Sequence, residues 1–291
     1  MRIALVTCAA LPELDPDDHP LIGLLEARGA YAEAAVWDDT AADWATFDLA
    51  VLRNPWDYTS RRGQFVTWAL AVPRLANPAD IVEWNTDKRY LRDIADAGLP
   101  VVPTSWITNE PAVLPAAGAH VLKPAVGAGS IDAARFSLHD QHEAELARAH
   151  AARLISAGHT VMVQPYLDAI DEYGETGLIF VGGVFSHAIS KGAMLAADRG
   201  LEAGGLYKGE KITASEPTPA ELELARRALA AVPGGAARLL YARVDLVPGA
   251  DGSPVIMELE LTEPSLFMHT APGATNRFAD AIAAAAVRDK K

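Results

Sequence analysis

Short, mostly apolar runs open this chain, and helical spacing separates and follows them. Residues 2–7, 32–37 and 47–53 read as strands, while His19 to Arg28, stopped by Gly29, and Thr59 to Leu70 have helical spacing. This strand–helix–strand rhythm predicts a small parallel α/β unit. The first run superficially resembles a signal peptide, but it is short and acidic residues follow closely, so a first buried strand is the better reading. Asn77-Pro78 marks a break. A helix over Asp87–Ala97, closed by Gly98, leads into a Pro-rich extended piece at Leu99–Pro103. Strands follow at Ala119–Pro124, Ala133–Phe136 and Thr160–Gln164, with a helix over 140–157. A strand pair over Thr176–Val181 and Val184–Lys191, a helix over Pro219–Val232 and an Ala-rich helix over Gly273–Val287 complete the pattern. Residues 192–215 are Gly-rich with little periodicity, and loops of this length are usually functional.

Within this pattern, two strands near the C-terminus carry charge at period two. They are Tyr241-Ala-Arg-Val-Asp-Leu-Val247 and Val255-Ile-Met-Glu-Leu-Glu-Leu261, joined by the turn-forming Pro248–Pro254. Side chains two apart share a face, so Arg243 groups with Asp245 and Glu258 with Glu260. If the two charged faces coincide in the hairpin, three carboxylates and a guanidinium converge. Such carboxylates need counter-charge, which a hard divalent cation supplies with oxygen ligation and substrate phosphates. The same alternation also describes an ordinary half-exposed antiparallel hairpin.

Composition narrows the classes. The chain has 291 residues, 50% hydrophobic, with a net charge of −13, an ordinary globular balance of about two domains. The acidity argues against sequence-independent binding to nucleic acid or anionic membranes, which use Lys and Arg to meet phosphate. It leaves room for small anionic ligands met by a few local cations. No apolar run approaches a membrane span. Cys8 is the single cysteine, which fits a reducing cytoplasm.

Other stretches add candidate chemistry, each open to a plainer structural reading. Lys123 sits on an apolar strand before a loop containing Gly127, Gly129 and Ser130. A lysine there is costly unless it meets an anion, and glycines let backbone amides approach a phosphate. Lys88 opens a helix in Trp84-Asn-Thr-Asp-Lys-Arg-Tyr90. Gln164-Pro165-Tyr166-Leu167 leaves its sheet at the proline and suits a flat heterocycle. The acidic turn ending at Glu175 could meet a ribose hydroxyl. Lys191 begins the long loop carrying Lys208 and Lys211, which suits closure over a phosphorylated intermediate. Arg53-Asn-Pro-Trp-Asp-Tyr58 lies past the third strand, where ligands bind in parallel α/β units, so Asn54, Trp56 and Asp57 are candidate substrate contacts. The first strand is not followed by a dinucleotide fingerprint, and the histidines form no metal-spaced pair.

The order of these features resembles the ATP-grasp superfamily over residues 85–290. That resemblance implies an α/β pre-ATP-grasp domain at 1–84, a small α+β lid subdomain at 85–165 and a C-terminal α+β subdomain at 166–291, the last two clamping ATP. It implies that Lys88 and Lys123 contact the ATP phosphates, with Ser130 and the loop glycines covering them. Gln164 to Leu167 would hold adenine and Glu175 the ribose. Asp245, Glu258 and Glu260 would ligate Mg²⁺, and Arg243 would meet the γ-phosphate with Lys191 nearby. Many relatives have Glu-x-Asn where this chain has Glu258-Leu-Glu260, which bears on the number of metal ions. Three stretches, Trp84–Leu91, Asn54–Tyr58 and Glu258–Ser265, are similar to the O-ureido-serine cyclo-ligase branch. They imply a small amino-acid-like substrate contacted also by Glu263 and Ser265, and relatives are often homo-oligomers. The expected chemistry is ATP-dependent carboxylate–amine ligation, including ring closure to D-cycloserine. A kinase-like phosphotransferase and a nucleotide sensor are the alternatives on the same scaffold.

Overall fold

The structure is a computed structural model that describes residues 1–192 and 211–288. The chain begins with β1 (Arg2–Thr7), α1 (Pro20–Glu26), β2 (Tyr31–Val36), β3 (Leu49–Asn54), α2 (Arg62–Ala71) and β4 (Leu75–Ala76). The strands form a parallel sheet of order β2-β1-β3-β4, as the strand–helix rhythm predicts. Ile3, Ala4, Leu5 and Val6 are fully buried because both faces of the sheet are covered. One face packs on α2 through Phe65 and Ala69, with Trp37 and Tyr58. The other meets α1 and the chain's last helix.

Two short helices, α3 (Ala79–Asn85) and α4 (Tyr90–Asp96), lead out of this unit. The single helix expected over 87–97 therefore starts later, and Lys88 lies in the turn between the two. A second sheet follows, of β5 (Ser105–Ile107), β6 (Ala119–Pro124), β7 (Ala134–Ser137) and β8 (Val161–Pro165) in the antiparallel order β5-β8-β6-β7. Its helix α5 (Gln141–Ser156) lays Ala147, Ala151 and Leu154 on Leu122, Phe136 and Val163. Asp140 caps α5 by accepting from the Glu143 amide at 2.9 Å. Pro165 does not end the pairing of β8, because the Tyr166 amide still donates to the Ala119 carbonyl at 2.8 Å.

After α6 (Ala169–Tyr173), a third sheet is built from β9 (Glu175–Val181), β10 (Val184–Lys191), β11 (Ile212–Ser215), β12 (Tyr241–Pro248) and β13 (Pro254–Glu260). Its antiparallel order is β11-β10-β9-β12-β13. Helix α7 (Pro219–Ala230) opens with a reciprocal cap between Thr218 and Glu221. With α4 it covers one face through Leu224, Ala228, Tyr90 and Ile94. On the other face Ile179 and Ile189 share a core with the first sheet and with α8 (Ala274–Arg288). The last helix thus seals the third sheet onto the first, and Phe278 and Ile282 are fully buried there.

The edge strand β13 is held from outside by side chains. Asn85 donates to the Leu259 carbonyl and accepts from the Leu261 amide, both at 2.8 Å. The Tyr90 hydroxyl bonds both the carbonyl and the amide of Leu259 at 2.8 Å. Beyond the short backbone bridge of Val101 to Ile256, these two side chains satisfy the outer groups of Leu259 and Leu261 in place of a neighbouring strand.

Candidate active site

The hairpin register pairs Arg243 with Glu260 and Asp245 with Glu258, so the charged faces coincide. Arg243 Nε and Nη2 donate to the Asp245 carboxylate at 2.9 and 3.0 Å, and Arg243 also bonds Glu260. Lys191 Nζ lies 2.7 Å from Asp245 and 3.0 Å from Glu175. Lys88 Nζ lies 2.8 Å from Glu258 Oε1. Gly177 stands opposite Asp245 in β9, and a Cβ there would come within 3.1 Å of Asp245 Oδ1. Glycine is the residue that leaves room for the cluster.

Electrostatics sort the carboxylates. Burial pushes the Asp245 carboxyl up, but Arg243 and Lys191 outweigh it and hold it well below the usual range. Burial likewise opposes ionisation of Glu258, and Lys88 with Lys123 outweighs it. At Glu260 burial wins against Arg243, and with the charges of Asp245 and Glu258 it pushes the carboxyl up to about 8. A divalent ion beside Glu260 would favour its ionised form.

These groups line a cleft of 510 Å³. At its phosphate-sized end, Lys88 and Lys123 face Glu258 beside Gly127, Gly129 and Ser130. The Lys88 amide and ammonium donate to the carbonyls of Ala125 at 2.8 Å and Gly127 at 2.5 Å, so the turn pins the Gly-rich loop. Gly129 takes a φ of +60°, in the left-handed region that suits glycine. Burial, with the Lys88 charge, pushes the Lys123 ammonium down against the pull of Glu258. Among the described residues no carboxylate lies within ion-pair distance of Lys123. A half-buried ammonium without an ion-pair partner among the described residues, beside amide-rich backbone, fits a polyphosphate.

The expected heterocycle-binding residues Gln164, Pro165, Tyr166 and Leu167 line the other end. Gln164 donates to Thr104 Oγ1 at 2.9 Å, and the Arg135 guanidinium stacks 3.6 Å above the Tyr166 ring. Glu175 lines the same cleft but is turned to Lys191. Lys191 ends β10, as its strand predicts, and it is buried and also lines the cleft. Lys208 and residues 193–210 lie outside the described residues.

At the wall formed by the first unit, Trp56, Glu263 and Ser265 line the cleft. Asn54 and Asp57 do not. Asn54 is buried, donating to Asp18 at 3.0 Å and accepting from the Asp15 amide at 2.9 Å. Asp57 accepts from Trp37 Nε1 at 2.8 Å and Arg61 at 2.6 Å. Both were expected in the cleft because ligands gather beyond the ends of parallel strands. The same rule applies to the acidic stretch after β1, where Asp15 and Asp17 do line it. His269 joins them, bonded to Asp17 at 2.8 Å through Nδ1.

The segment after β13 is fixed by its carbonyls. Those of residues 262 to 266 accept in turn from Tyr241 at 2.9 Å, Trp56 at 3.0 Å, Arg53 at 3.0 Å, Arg243 at 2.7 Å and His187 at 2.8 Å. Donors from the first and third sheets thus share one strap, which makes that wall of the cleft rigid.

Asp245 is the candidate metal ligand least open to the cleft, at 1% exposure beneath Arg243 and Lys191. In the arrangement seen, no three His, Cys, Asp or Glu side chains among the described residues are grouped to hold an ion. Glu258 and Glu260 face the cleft, and their hard oxygen donors suit Mg²⁺.

Comparison with known proteins bears on the family and the fold. Residues 3–77 match the family described as D-cycloserine synthetase DcsG, N-terminal domain. The chain is 38% identical over 294 residues to the cycloserine biosynthesis protein DcsG of Streptomyces lavendulae, covering 97% of each. It matches the crystal structure of D-cycloserine synthetase DcsG with a TM-score of 0.86 and 37% identity, over 98% of this chain and 100% of that one. The ATP-bound D-alanine–D-alanine ligase of Bacillus anthracis shares the fold, with a TM-score of 0.64 and 17% identity over 99% of this chain and 98% of that one. The ATP-grasp ligase PsnB, 18% identical over 98% of each chain with a TM-score of 0.63, has been seen with Mg and ADP. Among the described residues no helix is long and apolar enough to cross a membrane. The near-full-length likeness and the shared architecture place the chain in the D-cycloserine synthetase family of ATP-grasp ligases.

Proposed function

We propose that this ligase uses Mg²⁺ and ATP to activate the carboxylate of O-ureido-D-serine as an acyl phosphate. A nitrogen of the same molecule then displaces phosphate and closes the ring, and water hydrolyses the carbamoyl group on that nitrogen to carbon dioxide and ammonia, giving D-cycloserine. The observation that carries the reading is the opposition of Lys88 and Lys123 to Glu258 and Glu260 across one cleft. A carboxylate is a poor electrophile, and phosphorylation supplies a leaving group. Phosphoryl transfer needs positioning and charge neutralisation more than covalent help.

In this reading Lys88, Lys123 and the amides of Gly127 to Ser130 hold the phosphates, and Gln164 to Leu167 hold adenine with Glu175 at the ribose. Glu258 and Glu260 hold Mg²⁺, with Asp245 beneath them as the third carboxylate, and the ion would neutralise phosphate charge. Asp245 keeps Arg243 and Lys191 aimed at the transferring phosphoryl group. Trp56, Glu263 and Ser265 form the substrate wall. The division at 84/85 and 165/166 follows the spacing of the three sheets along the chain, with α8 returning to the first. The single, buried Cys8 suits a reducing, cytoplasmic setting.

The test is purified protein with saturating Mg²⁺-ATP and O-ureido-D-serine. ADP, phosphate and a product of D-cycloserine mass are expected in equal amounts. A stable phosphorylated product would establish a phosphotransferase instead, and ATP binding without turnover a sensor.

A further inference from the structure

The two stretches Asn54–Tyr58 and Glu258–Ser265 are distant in sequence and meet in the fold at one residue. Trp56 Nε1 donates to the Glu263 carbonyl at 3.0 Å, and the Tyr58 hydroxyl donates to Glu263 Oε1 at 2.7 Å. Arg53 Nη2 holds the next carbonyl, of Pro264, at 3.0 Å. Tyr58 is itself buried and stacked on Phe65 with ring centres 4.8 Å apart, so its hydroxyl has little freedom. The loop after β3 thus grips Glu263 by backbone and side chain together.

Glu263 lines the cleft, and Tyr58 is the one hydrogen-bond donor to its carboxylate among the described residues. A carboxylate can accept about four hydrogen bonds, so most of its capacity is left on the cleft side. It shares the cleft with Trp56 and Asp17 of the substrate wall, and the charges of Lys88 and Glu258 act on it. That is where an activated carboxyl and an attacking nitrogen of one small molecule would both lie.

We propose that Glu263 is the proton acceptor for the ring-closing nitrogen, with Tyr58 and Trp56 as its positioning residues. The proposal rests on the ring-closing reading above. In the step, the substrate nitrogen forms a bond to the carboxyl carbon. The bond from that carbon to the phosphate oxygen breaks, and phosphate leaves with the electron pair. The N–H proton passes to the free oxygen of Glu263 and from there to solvent.

The surroundings suit the task. Burial pushes the Glu263 carboxyl up to about 7, aided by the Glu258 charge and opposed by the Tyr58 hydrogen bond, Lys88 and Arg243. A base whose proton affinity lies near neutrality is efficient both at taking a proton and at releasing it. Asp15 and Asp17 are the other acids of this wall, and Asp17 is committed to His269 and to the amides of Met268 and His269.

The experiment separates activation from closure. Wild type, Glu263→Gln and Tyr58→Phe are each given Mg²⁺-ATP and O-ureido-D-serine, with and without hydroxylamine to trap the acyl phosphate as a hydroxamate. Glu263→Gln is expected to form hydroxamate at close to the wild-type rate while ring product falls roughly 100-fold or more. Ring product at the wild-type rate, or hydroxamate lost in parallel with it, overturns the proposal. Tyr58→Phe removes a bond that favours the ionised carboxylate, so the acid limb of ring closure should move to higher pH. An unmoved limb overturns the positioning role. Wild-type protein that traps hydroxamate but never closes a ring overturns the ring-closing reading, and the proposal with it.

Discussion

At the scale of single residues, the decisive feature is charge held where burial makes it costly. Lys123 is half-buried near the Lys88 charge, and no carboxylate among the described residues pairs with it. If its partner is a nucleotide phosphate, Lys123→Met should weaken ATP binding roughly 10- to 100-fold, the worth of a charge-assisted hydrogen bond. Calorimetric titration reads this directly, and unchanged affinity refutes the phosphate role. Glu258 faces the same cleft from the other side. Glu258→Gln keeps the size and removes a hard ligand, so turnover should fall about 100-fold or more while the fold persists. Full turnover in that variant would sink the metal assignment. The charge pattern made these residues legible, because a lysine in an apolar strand and charges at period two stand out in sequence. Asn54 and Asp57 misled for the opposite reason: polar residues beyond a strand end can turn inward, and these bond Asp18, Trp37 and Arg61.

At the scale of elements, β13 shows how a catalytic strand is held. It is the sheet's edge: the backbone of Pro100–Val102 meets Ile256, and Asn85 and Tyr90 meet the outer groups of Leu259 and Leu261. Truncating Asn85 leaves the buried Leu261 amide without its partner and the Leu259 carbonyl with Tyr90 alone, at a cost of about 1–3 kcal/mol. Asn85→Ala should therefore lower the melting temperature by several degrees and reduce turnover as well, since Glu258 and Glu260 flank Leu259. An equally stable, equally active variant would show that the edge needs no such support. The stretch Trp84–Tyr90 drew attention for Lys88, yet Asn85 and Tyr90 are as closely tied to the site. Periodicity located the long elements and the hairpin. It missed β4, β5, α6 and β11, which are two to five residues long, and also α3, which follows directly on the Asn77-Pro78 break.

At the scale of the whole molecule, the cleft draws its lining from all three sheets. Lys123 and Gln164 come from the second, Glu258 and Arg243 from the third, and Trp56 from the end of the first. A ligand bridging them links the units, so binding should stabilise the molecule as a whole. Mg²⁺-ATP at about 100 times its dissociation constant adds roughly 2.7 kcal/mol. Thermal unfolding should thus shift upward by several degrees with Mg²⁺-ATP, and by less with ATP and EDTA. Equal shifts with and without Mg²⁺ would argue that the carboxylates bind no ion with the nucleotide.

The sequence by itself determined the parallel first unit, the hairpin and the order of the charged residues along it. Those follow from local periods of two and about 3.6, which neighbouring residues encode. It also supplied the coincidence of Arg243 with Glu260 and Asp245 with Glu258 as a condition, which the register then met. Tertiary structure decided what each group faces. It turned Asp245 onto Arg243 and Lys191, drew Asn54 into the interior, and brought Tyr58 to Glu263 across 205 residues. The physical reason is that a side chain's partners depend on how distant segments pack, and burial then sets which charges must be paired and which are left for a ligand.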